Sequence, residues 1–259
     1  MQPEEQALED LLRQAASDPA ARPDFYAKLL EAKIYVIGTP NAGEAGTREM
    51  QPGEDLQLVA WGKPDGSPIV PFFSSLAALQ AALTEPSSYF ALEARAFFEI
   101  TQGSDLVLNP KSDHGKEFTP TEIEALMTDG MNHLGETRVV DAPTEVLLGQ
   151  PAHYPTAMVD ALSDFLAKRP DARAGYLCLM HDRSRDERPH LVIGIEADDA
   201  EPLIKQVGSI AADLAPSGDP VDVVAVVKGE AGLSDYFLRE VKPFYRRKAG
   251  GLKGLFRLK

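Results

Sequence analysis

Apolar positions recur along this chain with two periods, and the switches between them lay out the elements. Over 4–16 (EEQALEDLLRQAA), Leu8, Leu11, Leu12 and Ala15 fall on one helical face, and Asp18-Pro19 ends the run. Pro23 opens a second helix over 24–31, with Phe25, Leu29 and Leu30 inward. The KIYVI of 33–37 is β-branched and aromatic, which predicts a strand. Residues 38–55 are polar and rich in glycine and proline, a surface loop. Residues 56–62 and 69–73 are predicted to pair as a hairpin across Lys63-Pro64-Asp65-Gly66-Ser67. Ser74 and Ser75 cap a helix over 76–83, and 92–101 reads as another, stopped at Gly103. Leu106–Leu108 is a short strand that must end at Asn109-Pro110, because proline lacks an N–H. Thr119-Pro120-Thr121-Glu122 then starts a helix over 120–128, with Thr119 as cap and Glu122 as the capping-box acid.

The second half is more regular. A strand over 144–148 meets the Gly149-Gln150-Pro151 break, and a helix over 156–168 follows. Two strands, 172–181 and 190–196, flank a charged turn; a helix over 201–214 leads to the apolar strand 221–227. That last run is nearly all β-branched, which predicts a central or well-covered strand. The order βαββαβ is that of the ferredoxin-like, split-βαβ arrangement. A short helix over 234–240 and a basic segment close the chain. The predicted class is α+β. Residues 1–141 hold a small mixed sheet with helices, 142–241 a ferredoxin-like sandwich, and 242–259 a basic amphipathic tail.

Composition narrows the function classes. The 259 residues are 44% hydrophobic, enough for packed cores, and no apolar run approaches the roughly 20 residues of a membrane span. The acidic N-terminus is unlike a secretory or transit peptide, and one cysteine precludes an intramolecular disulfide; both point to the cytoplasm. With seven basic residues and no acidic one in 242–259, the net −14 of the chain leaves −21 on the rest. Such a body repels nucleic acid and anionic membrane, so nucleic-acid binding is disfavoured unless the tail acts alone.

Candidate chemistry is sparse. His114, His133, His153, His181 and His190 lack zinc-ligand spacing, and His181 and His190, flanking one turn, read as surface imidazoles at a strand end. Cys178 lies in an apolar strand, the setting of a structural thiol. Asp198-Asp199, with Glu196 and Glu201, lacks the ligand alternation of a calcium loop and reads as an acidic helix start. No nucleophile elbow, phosphate loop or dinucleotide fingerprint is present, so no cofactor and no metal is expected. Three residues remain as binding candidates. Trp61 on the hairpin could stack a ligand or pack in the core. Asn109 and Lys111 stand where an anion could meet the Pro120 helix, unless Asn109 only shapes its turn. The tail offers Phe244, Tyr245, Arg246, Arg247, Leu252, Leu255 and Phe256, whose apolar members are costly to leave in water, so it is expected to dock onto the chain's own acidic body, a second copy or a partner.

Several segments stand out by their order and spacing: Ile69-Val70-Pro71-Phe72-Phe73-Ser74-Ser75, the strand closing on Asn109-Pro110, Leu148-Gly149-Gln150-Pro151, the strands 176–180 and 191–196, and Lys242-Pro243-Phe244-Tyr245. Together they resemble the SseB family of bacterial proteins, named for enhanced serine sensitivity. The resemblance implies an SseB-type N-terminal domain followed by an SseB-type C-terminal domain. It implies no known activity, cofactor or ligand, and it transfers no functional residues.

The favoured expectation is a non-enzymatic binding, regulatory or adaptor protein that contacts a protein partner, or a second copy, through its tail. The alternative is an unrecognised enzyme or small-metabolite binder touching serine metabolism. A purely structural role in a larger complex comes third.

Overall fold

Strand β1 (Lys33–Pro40) divides the apolar groups of the first half into two layers. Ile34 and Val36 point to one face and Tyr35 and Ile37 to the other, as the period of a strand requires. The structure, a computed structural model, describes residues 2–40, 56–133, 146–184, 186, 188–216 and 220–248. It falls into two units, Met1–Glu136 and Thr137–Lys259.

The first unit contains α1 (Pro3–Ser17), a 3₁₀ turn at Pro19–Ala21, α2 (Arg22–Leu30), β1, β2 (Leu56–Leu58), β3 (Trp61–Gly62), β4 (Pro68–Phe73) and α3 (Leu76–Ala82). It continues through β5 (Tyr89–Glu93), α4 (Ala94–Ile100), β6 (Leu106–Leu108), β7 (Lys116–Phe118) and α5 (Pro120–Asp129). β5 lies on one side of β1 and β4 on the other; β6 runs parallel to β4, and β7 closes that edge. The larger core gathers Leu8 and Leu12, Phe25 and Leu29, Ile34 and Val36, and Ile123 and Leu126 around Phe72. The Phe72 ring lies 5.2, 5.8 and 5.9 Å from those of Phe97, Phe98 and Phe118. Phe73, Ile37, Leu79 and Ala82 form the smaller cluster on the opposite face.

Two strands missed by periodicity, β5 and β7, are short, and pairing with β1 and β6 stabilises them. The expected hairpin is only partly formed. β3 pairs with β4 (Trp61 opposite Ile69), but the earlier half of that run, β2, pairs with β1 instead. Pro71 sits where β4 hands over from β3 to β1. Val70 N–H and Phe72 C=O bond toward β6, so the absent Pro71 N–H faces the handover and costs no ladder bond.

The second unit contains β8 (Leu147–Gly149), α6 (Thr156–Ala167), β9 (Ala172–His181), β10 (His190–Ala197), α7 (Glu201–Leu214), β11 (Val221–Ala225), α8 (Leu233–Glu240) and β12 (Tyr245–Arg246). The helices and strands come in the expected order, but the ferredoxin-like pairing does not form. A split βαβ needs a third strand between the two that its helix joins. Here β8 and β9, joined by α6, are adjacent and antiparallel; β10 and β11, joined by α7, are adjacent and parallel. β8 covers only Leu179–His181, which leaves the Ala174–Gly175 edge of β9 to β12. β11 is an edge strand, not a central one; its residues are half-buried, with Val223 near α7 and Val224 against the core under α8. Among the described residues, no helix is long and apolar enough to cross a membrane.

Cys178 is fully buried in the core beneath α8. Burial pushes its thiol from an ordinary value near 9.0 up to about 12. An unfolded chain would release this proton in the window where the folded one still holds it. The unfolded state then binds fewer protons, so stability falls as pH rises from about 9 to about 12. Cys178→Ala is expected to flatten that fall by up to one proton's worth, read as the slope of urea-unfolding free energy against pH. Native Cys178 is also expected to resist thiol reagents at mildly alkaline pH until the protein is unfolded.

Candidate functional site

The structure brings Trp61, Asn109 and Lys111 to one corner of the first unit and uses their polar groups there. Asn109 ends β6 in the left-handed region, with φ of 48°, and is buried. Its Oδ1 accepts from Ser74 N–H (3.0 Å), and its Nδ2 donates to Ser74 Oγ (2.6 Å). The Ser74 and Ser75 hydroxyls both donate to Glu9 Oε1, at 2.6 and 3.0 Å, and Ser75 Oγ accepts from Ala78 N–H at the start of α3. This network joins α1, β4, α3 and β6 and leaves Asn109 the turn-shaping role. Lys111 Nζ donates to Ala82 C=O (3.0 Å), a carbonyl of the last turn of α3, and lies 5.1 Å from the Trp61 ring centroid. Trp61 in turn packs edge-on against Phe73. The anion corner expected at the Pro120 helix is filled by the chain's own carboxylate. Glu122 accepts from Thr119 N–H at 2.9 Å and from Lys116 Nζ at 2.9 Å.

The two turn histidines are not a surface pair. His190 is buried, with Nε2 2.9 Å from Asp222 Oδ2 and Nδ1 3.4 Å from Asp186 Oδ2, while His181 Nε2 lies 3.2 Å from Asp186 C=O. Asp186 and Asp222, which periodicity did not single out, tie the β9–β10 turn to the edge strand β11. Among the described residues, no three His, Cys, Asp or Glu side chains are placed to hold a metal ion.

A surface concavity with concentrated charge among the described residues is made by the start of the basic segment. Phe244 and Arg247 donate their N–H groups to Gly175 C=O and Arg173 C=O, both at 2.8 Å, and Tyr245–Arg246 adds β12 to β9. Gly175 makes this possible. A Cβ there would stand 2.6 Å from the Phe244 ring and 2.9 Å from Leu166 Cδ1, so the ring occupies the space of a missing side chain. Gly194 plays the same part for Phe237 on the face under α8.

Docking gathers Arg173, Glu196, Arg246, Arg247 and Lys248 around an open groove of about 710 Å³. Arg246 Nη2 donates to Tyr176 Oη (3.1 Å), and Tyr176 Oη donates to Glu196 Oε2 (3.1 Å). Burial first, then the Glu196 charge, raises the Tyr176 phenol above its ordinary value, with Arg246 opposing; the hydroxyl stays protonated at neutral pH. Arg247 donates from Nε to Ala172 C=O (2.8 Å) and from Nη2 to Arg169 C=O. Arg173 pairs with Asp198, both side chains more than half exposed, so this pair adds no more than about 1 kcal/mol. Backbone pairing and burial of the Phe244 ring, worth about 1.5–3 kcal/mol if complete, hold the segment. The groove thus holds three anchored guanidinium groups and the Lys248 ammonium, a set of donors suited to binding anions. Sequence reasoning named Phe244, Tyr245, Arg246 and Arg247 but missed Arg173 and placed Glu196 only in the acidic stretch before α7; the signal of both is their place at the ends of paired strands. Leu252, Leu255 and Phe256 lie outside the described residues.

Gly175→Ala is expected to cost about 1–3 kcal/mol by overpacking and to loosen 244–248. Limited trypsinolysis would then cut after Arg246, Arg247 or Lys248 several times faster. In a Phe244→Ala background the same substitution should cost much less, because the ring it displaces is gone; a double-mutant cycle in urea reads this coupling.

Two family models match this chain in tandem: the SseB protein N-terminal domain over residues 8–125 and the SseB protein C-terminal domain over 140–247. The second match extends through Arg247 and so includes the docked segment. The chain is 38% identical over 245 residues to Protein SseB of Escherichia coli (strain K12), covering 94% of this chain and 93% of that protein. The figures are the same for Protein SseB of Shigella flexneri. No solved structure matches significantly. With both of its halves matched, and with these relatives aligned along nearly its whole length, the chain belongs to the SseB family.

Proposed function

We propose that this protein is a non-enzymatic binding protein of the cytoplasm that works through protein–protein contact, with the groove of its second unit as the contact surface. The observation that carries this is the groove itself: four basic side chains, three of them anchored, on a chain whose net charge is −14. In this reading residues 1–141 form the N-terminal domain. The C-terminal domain extends from 142 past the earlier limit of 241 to take in β12. The basic, apolar residues beyond it, including Leu252, Leu255 and Phe256, add a second contact to the same partner or to another copy. The concentration of charge at an open edge supports recruitment, since a fixed positive patch speeds encounter with an acidic partner and selects against a basic one.

Affinity capture from the native cell, with intact protein, the Arg246→Gln/Lys248→Glu variant and a chain lacking 249–259, tests the proposal. A co-purifying protein is expected with the intact chain and should fall about tenfold with the groove variant, a change of about 1.4 kcal/mol. Retention of every co-purifying protein by both altered chains would overturn it. So would a tightly bound metabolite on an otherwise bare protein, which belongs to the metabolite-binding alternative.

A further inference from the structure

We infer that the ligand of the groove is an acidic, extended protein segment, recognised carboxylate by carboxylate, rather than a nucleic acid or an isolated phosphate. This rests on the binding role proposed above and names the chemistry of its partner.

The positions of the cations argue for it. Arg246 and Arg247 are consecutive in an extended stretch, so their side chains leave the backbone on opposite sides. Their anchors agree: Arg246 is tied to the Tyr176 hydroxyl, and Arg247 to the Ala172 and Arg169 carbonyls. Arg173 is drawn toward Asp198. Each guanidinium keeps donors beyond those it has committed, but the forks have different anchors and do not form a single clamp. A compact phosphate is held by forks converging on one centre. Separated cations along a strand edge suit carboxylates separated along a chain. β12 also ends the sheet order beside β9, so an extended segment is the shape that lies along it.

The remaining lining residue argues against the polyanions. Glu196 places a carboxylate in the same groove. A phosphate backbone, charged at every unit, must bring one of its groups near that carboxylate, whereas a peptide can present a neutral residue there. No aromatic ring lines the groove among the described residues, so unstacked bases find no platform. The net charge of −14 repels a long nucleic acid or an anionic membrane over the whole surface. A short acidic segment enters within a Debye length of about 8 Å of the cations and feels mainly them.

The test uses full-length protein and fluorescence anisotropy. The probes are a short labelled peptide of alternating Glu and Ser, the matching Lys and Ser peptide, a labelled single-stranded oligonucleotide, and inorganic phosphate as competitor. The Glu/Ser peptide is expected to bind and to weaken with added salt. It should lose about tenfold in affinity with Lys248→Glu, and more with Arg246→Gln added, while unfolding in urea stays cooperative. Lys228→Glu reverses an exposed charge beyond the far edge strand and should leave binding unchanged. Absence of Glu/Ser binding at low salt, or tighter oligonucleotide binding lost with the same substitutions, overturns the inference. Displacement of the peptide by millimolar phosphate overturns it as well. If the peptide fails while the groove variant still loses its cellular partner, the binding role stands and only the chemistry assigned to its ligand falls.

Discussion

A phenylalanine ring resting on a bare Cα decides the form of the second unit. Phe244 occupies the space that any side chain at position 175 would fill, and the backbone bonds from Phe244 and Arg247 then run along the open edge of β9. Without that seat the basic residues after Val241 would be a solvated charge run. With it they stand beside Arg173 and Glu196, from much earlier in the chain, and a groove exists. Exposed ion pairs contribute little to this arrangement, because both partners of Arg173–Asp198 remain in water. Shape and main-chain pairing place the charges; the charges do not place themselves.

The first unit spends its polar residues differently. Asn109, Ser74, Ser75 and Glu9 satisfy one another where four elements meet, and Thr119, Glu122 and Lys116 do the same at the start of α5. Buried polar groups of this kind are costly unless every donor and acceptor is met, and meeting them fixes one geometry. Residues that look available for a ligand are therefore already engaged. The contrast between the units lies in how such groups are committed: the Asn109–Ser74 pair of the first is buried, and the cations of the second stand at a sheet edge with donors to spare.

That contrast distinguishes the two units of this SseB-family chain. The thiol of Cys178 is buried and protonated, and His190 is clasped by Asp186 and Asp222. The groove faces outward, and four of its five lining residues are basic on a chain of net charge −14.

Local patterning by itself determined the long elements. The helical spacing of Leu8, Leu11, Leu12 and Ala15, the apolar face of α7, the cap at Thr119 and the turn at Asn109-Pro110 all appear where the residues call for them, because neighbours in the chain settle those choices. The family was legible too, since order and spacing of short segments survive where single motifs do not. Three of the shortest strands were not legible: β5, β7 and β12 carry too few residues for a period to show, and pairing with a neighbour holds them. The same reason defeated the ferredoxin-like assignment: an order of helices and strands leaves open which strands become neighbours, and that is settled by which edge each can reach. Phe244 was visible as an apolar residue in a basic segment and Gly175 as a glycine in a strand; that one fills the space left by the other is a fact of three dimensions, and the site depends on it.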